Sequence, residues 1–107
     1  MYDCKIQFIV SKNAKKTVNR LYKKYNTGMK YEDTIAGFML TMSMNQYYLI
    51  IDENYLTYNC LTHELYHLTQ SLTADRNIFE EEQRAWVQGA CAQEIFDFLN
   101  LKKVKIG

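Results

Sequence analysis

The chain has 107 residues, with 13 lysines and arginines against 12 aspartates and glutamates and a formal net charge of +1. This length suits one domain, residues 1–107, with a modest core, and the near-neutral balance gives no overall pull toward nucleic acid or a membrane surface. Apolar residues make up 48% of the chain, so it is not the composition of a disordered polymer.

From the N-terminus, Asp3 and Lys5 interrupt any apolar start, so no secretion signal is expected. "KIQFIV" alternates Ile6, Phe8 and Val10 with Lys5 and Gln7, the pattern of a half-buried strand. The period then changes. Ser11 is a candidate N-cap, and Ala14, Val18, Leu21, Tyr22 and Tyr25 share one helical face. Lysines and Arg20 take the other face, and "NTG" at Asn26–Gly28 is the expected stop. Between Cys4 and Tyr31 there are basic residues and no acidic ones. The preferred reading of that basic helix, residues 12–24, is a solvated face; a nucleic-acid footprint is the lesser alternative.

Residues 34–51 carry no charge and are long enough to invite a membrane span. "TMSMNQ" in their middle is too polar for one, so no membrane is expected. Phe38, Leu40, Met42 and Met44 alternate as a strand, Asn45 and Gln46 mark a turn, and "YYLII" is a second strand buried on both faces. "DEN", Asp52–Asn54, offers caps for a helix over about 55–73. "TADRN" reads as a loop, and a last helix spans about 79–101 before the basic tail "KKVKIG". Met39, Met42, Met44, Trp86, Phe96 and Phe98 are assigned to the core. The three cysteines, Cys4, Cys60 and Cys91, form no C-x-x-C motif and fit reduced, mostly buried thiols in a cytoplasmic protein. The sum is an α+β domain in which helices cover a small antiparallel sheet.

Both histidines lie in "THELYH", an H-E-x-x-H motif. At about 100° per residue, His63 and His67 sit on adjacent turns and face the same way, so both imidazoles can reach one metal ion. Glu64 is turned about 100° from His63 and can act as general base without being a ligand. Leu61, Leu65, Leu68 and Leu72 form a stripe on the opposite side, so the helix can bury its leucines and still present the histidines. A catalytic zinc usually takes three protein ligands, and the chain holds no third histidine. In "FEEEQRAWVQGACAQEIFDFL" a glutamate precedes Ala85 and Gly89, small residues that would let this helix pack closely on the first. Periodicity alone does not separate Glu82 from Glu81.

"HELYH" and "EQRAW", an E-x-x-A sequence, resemble the two motifs of the gluzincins, H-E-x-x-H metallopeptidases with a glutamate third ligand on the following helix. The likeness covers roughly residues 34–100, and the size is closest to the minigluzincins. The resemblance implies a zincin-like fold and a zinc metalloendopeptidase acting on peptide or protein substrates. It puts the metal on His63, His67 and Glu82, with Glu64 as base. It also implies an edge strand that pairs with extended substrate, here Ala36, Gly37 and Phe38. At Gly37 a β-bulge is preferred over a close approach. The alternative to the enzyme is a catalytically silent or latent regulatory domain that keeps the metal. A plug formed by residues 102–107 is one route to latency. Glu94 and Asp97 are candidate partners for the histidine rings.

Overall fold

The computed structural model describes residues 4–43, 46–103 and 106. Three strands and three long helices follow one another: β1 (Lys5–Ser11), α1 (Ala14–Lys24), β2 (Gly37–Ser43), β3 (Gln46–Asp52), a 3-10 turn (Glu53–Tyr55), α2 (Tyr58–Asp75) and α3 (Glu81–Leu101). The class is α+β, as expected. Met44, expected at the end of the strand begun by Phe38 and in the core, and Asn45 of the expected turn lie outside the described residues, as do Val104, Lys105 and Gly107 of the tail, whereas Gln46 already belongs to β3.

The sheet is mixed, which corrects the antiparallel expectation. Its order is β1-β3-β2, with β1 parallel and β2 antiparallel to β3. Ser11 pairs with Asp52, and Gly37 pairs with Ile51, so β2 begins at the end of the sheet where β1 finishes. α1 carries the chain back along the sheet and residues 25–36 return it. β2 therefore runs opposite to β1, and β3 runs alongside it. Alternation of apolar residues marks a strand but carries no direction, so the sequence could not distinguish the two arrangements.

β3 is central and buried on both faces, as its apolar run implies. Tyr47, Leu49 and Ile51 face a core completed by Leu61, Leu65, Leu68 and Leu72 of α2 and Val87, Cys91, Ile95 and Leu99 of α3. Tyr48 and Ile50 face a second core with Ala14, Val18, Leu21 and Tyr22 of α1. The sheet thus separates α1 on one side from α2 and α3 on the other. Burial of Tyr48 and its hydrogen bond with Tyr25 (2.6 Å between hydroxyl oxygens) push the Tyr48 pKa up to about 12.

The helix ends differ from expectation by a few residues, each for an identifiable reason. Asn13, rather than Ser11, caps α1, its Oδ1 accepting from the Lys16 N–H at 3.1 Å. Thr57 caps α2 by accepting from Cys60 N–H at 3.1 Å. Asp52 is instead used twice. Its Oδ1 accepts from Asn54 N–H at 2.9 Å to start the 3-10 turn, and its Oδ2 accepts from Ala14 N–H at 3.2 Å. One buried carboxylate therefore ties the end of β3 to the first turn of α1, where the helix dipole favours negative charge. The α1 stop is where the sequence places it: Asn26 has φ 51° and Gly28 has φ 73°, and Thr27 N–H donates to Tyr22 O.

Trp86 and Phe96 correct a second expectation. Trp86 is 74% exposed and Phe96 38% exposed, both on the outward side of α3. Phe98 alone of that group packs inward, 5.8 Å from the Phe8 ring centre. Ile106 of the tail packs against the core shared by β3, α2 and α3.

Replacing Asp52 with alanine removes acceptors from two elements in a buried position. Asp52→Ala is expected to lower the unfolding free energy by about 2 kcal/mol in urea denaturation.

Candidate metal-binding groove

The site is built by α2 packing on β2, whose outer edge pairs with no strand among the described residues. Burial of the leucine stripe fixes the rotation of α2 about its axis, and the opposite side then faces solvent with His63 and His67 on it. The His63 side chain is 65% exposed, whereas that of Glu64 is only 8% exposed. The Nε2 atoms of His63 and His67 lie 3.3 Å apart, with the rings nearly perpendicular at 79°. Two nitrogens each about 2.0–2.1 Å from a tetrahedral ion stand about 3.3–3.4 Å apart, so the pair has the separation that a zinc ion imposes. The same contact is a hydrogen bond between the two ring nitrogens, its direction set by the tautomers.

Glu64 lies beneath the pair, its Oε2 3.6 Å from His63 Nε2. Burial raises its pKa above the ordinary carboxylate value, and His63 and His67 pull it partly back. Cys60, one turn earlier, is likewise raised by burial and then by Glu64, so its thiol stays protonated at neutral pH.

Gly37 accounts for how close Glu64 can come to the sheet. A Cβ at position 37 would stand 2.8 Å from Glu64 Cγ, 3.0 Å from Ile51 Cδ1 and 3.1 Å from Cys60 Sγ. The glycine is therefore a close approach and not a bulge, correcting the sequence preference; the break in strand register lies between Thr41 and Ser43. Asp52 N–H donates to Ala36 O at 2.9 Å. Antiparallel alternation then turns the main-chain N–H and C=O of Gly37 and Met39 away from β3, toward the open edge.

Two recesses of about 460 and 410 Å³ flank this point, and Gly37, His63 and Glu64 line both. The first continues to Ala36 and Cys60, the second to Phe38, Met39, His67 and Gln70. Of the three expected edge residues, all line the groove. Met39, expected in the core, is half-buried at its wall. Sequence reading missed Cys60 and Gln70 as wall residues; the i, i+4 relation of Cys60 to Glu64 was the available signal.

The expected third ligand is not brought to the pair. Glu82 is exposed, as are Ala85 and Gly89 on its side of α3, and a Cβ at Gly89 would meet nothing within 4 Å. Val87, Cys91, Ile95 and Leu99 are the residues that α3 buries, which turns the small-residue side outward. Glu81 is exposed too. Among the described residues no group of three or more His, Cys, Asp or Glu side chains is placed to hold a metal ion. Glu94 and Asp97 are exposed on α3, and Asp97 accepts from Gln93. Arg84, in the first turns of α3, reaches α2 by donating to Gln70 Oε1 at 2.5 Å, and Gln70 Nε2 donates to Tyr66 OH at 2.8 Å.

Among the described residues no helix is long and apolar enough to cross a membrane. Comparison with protein-family models, with curated proteins and with solved structures gives no match to this chain.

Two outcomes follow from the geometry at Gly37 and Glu64. Gly37→Ala is expected to cost about 1–3 kcal/mol of stability, because the new methyl group meets three packed neighbours. For Glu64, a folded-state pKa above the unfolded one means that ionisation opposes folding. The penalty is absent below the ordinary value of 4.5 and grows as pH rises through the folded-state value. In chelator-treated protein, Glu64→Gln is expected to raise the denaturation midpoint at neutral pH, with the gain shrinking to nothing as pH falls below that range.

Proposed function

We propose that the protein is a metal-dependent peptidase in which His63 and His67 hold a zinc ion at the β2 edge and Glu64 is the general base. The observation that carries this reading is the 3.3 Å convergence of two Nε2 atoms directly above a buried glutamate. When bound, zinc supplies Lewis acidity toward a carbonyl oxygen or water. The remaining work falls to the chain.

The main-chain groups of Gly37 and Met39 offer an extended peptide a strand to pair with, which aligns it along the groove and across the histidine pair. Glu64 takes the proton from the attacking water and passes it to the leaving amine. Its raised proton affinity helps the first step, and its Oε2 lies 3.6 Å from His63 Nε2, within reach of a water held beside the pair. The neutral Cys60 thiol and the Gly37 backbone form part of the wall of the first recess beside Glu64.

Glu82 on the solvent side of α3 favours a second reading, a domain that binds metal through two histidines and does not turn over substrate. Hydrolysis separates the two. Zinc-loaded wild type and Glu64→Gln are incubated with unfolded casein and a mixed peptide library, and products are read by mass spectrometry. The peptidase reading expects cleavage by wild type that chelator removes and a loss of at least about 10²-fold in Glu64→Gln, the size of a general-base contribution. Retained metal with no cleavage by wild type would leave the silent-domain reading standing.

A further inference from the structure

The sheet face opposite the groove carries a feature that the metal site does not use. Eight of the 13 basic residues and none of the 12 acidic ones fall between Cys4 and Tyr31. The structure gathers five of them, Lys12, Lys16, Arg20, Lys23 and Lys24, on the exposed surface of α1 and its lead-in. Lys16, Arg20 and Lys23 lie within about 60° of one another around the helix and span about 10 Å along it. Among the described residues no carboxylate comes within 4 Å of any of the five cations. Their contacts are weak or local: Arg20 donates to Thr17 at 3.3 Å, and Lys24 lies 5.7 Å from the Tyr25 ring centre.

We propose that the outward face of α1 is a docking surface for the phosphate backbone of nucleic acid, read without regard to sequence. Charge complementarity selects a polyanion, and the character of the face selects among polyanions. Protein interfaces rely on buried aromatic and apolar anchors and are depleted in lysine. The apolar side of α1, with Val18, Leu21 and Tyr22, is spent on the sheet. A helix that rests on a membrane needs an apolar flank to insert, and that same burial leaves none on α1's outward side. Lysine ammonium groups are suited to phosphates as point charges. α1 and α2 lie on opposite sides of β3, so this surface is independent of the histidine groove and of any metal there.

The test is fluorescence anisotropy of a labelled DNA duplex of about 20 base pairs and arbitrary sequence, with chelator present throughout. Wild type is compared with Lys16→Glu/Lys23→Glu and with the milder Lys16→Gln/Lys23→Gln, each checked for folding by circular dichroism. Four phosphates neutralised give a slope of about −3.6 in log affinity against log salt, a loss of roughly 10²-fold between about 50 and 200 mM. The proposal expects that slope in wild type, a slope smaller by about 2 units in the glutamine variant, and binding abolished in the glutamate variant. Any of four results overturns it: no binding at the lowest salt, a flat salt dependence, wild-type affinity in the folded glutamate variant, or complete competition by an equal charge of polyglutamate or phosphatidylserine vesicles.

Discussion

The approach of Glu64 to the Gly37 backbone sets the distance between α2 and the edge of β2, and the groove depends on that distance. α2 has two demands on its circumference. Four leucines must enter the core, and two histidines must remain outside it. The rotation that satisfies both leaves Glu64 between them, against the sheet. Only a residue without a Cβ leaves space there, since an added methyl would stand 2.8 Å from Glu64 Cγ. The buried carboxylate is a stability cost that ordinary core packing would avoid. In the proposed reading, its placement under two converging imidazoles gives that cost a chemical use.

The rest of the fold holds this contact in place. β3 is buried on both faces and pairs with both neighbours, so it cannot shift without disturbing both cores. Asp52 at its end anchors the start of α1 on one side and the turn leading to α2 on the other. At the far end of α2, Tyr47 OH donates to Asp75 and accepts from Arg76, which joins the start of β3 to the end of α2. α2 is thereby fixed to the central strand near both its ends.

Much of this was legible in the sequence, because burial writes periodicity. The leucine stripe of α2, the alternation in β1 and β2 and the doubly apolar β3 all announce their elements. The histidine pair is legible for the same reason, since a spacing of four on a helix fixes direction. What was not legible depends on relations between elements. Strand direction in the sheet leaves no mark on alternation, so β1 was misassigned as antiparallel. The outward side of α3 was misread because Ala85 and Gly89 suit close packing and Trp86 suits a core, yet Val87, Cys91, Ile95 and Leu99 are the residues that α3 buries. That choice moves Glu82 away from the histidines, and no local pattern around the glutamates records it. Gly37 was ambiguous in sequence because a bulge and a close approach both call for glycine.

The central claim is that the His63–His67 pair, and not a site completed by Glu82, provides this chain's hold on zinc. The most direct measurement is zinc retained per chain, by elemental analysis after loading and removal of excess, for wild type, His67→Ala and Glu82→Ala. The account predicts one zinc per chain in wild type and in Glu82→Ala, with loss in His67→Ala. Zinc lost on Glu82→Ala, or retained in His67→Ala, or absent from wild type, would contradict it.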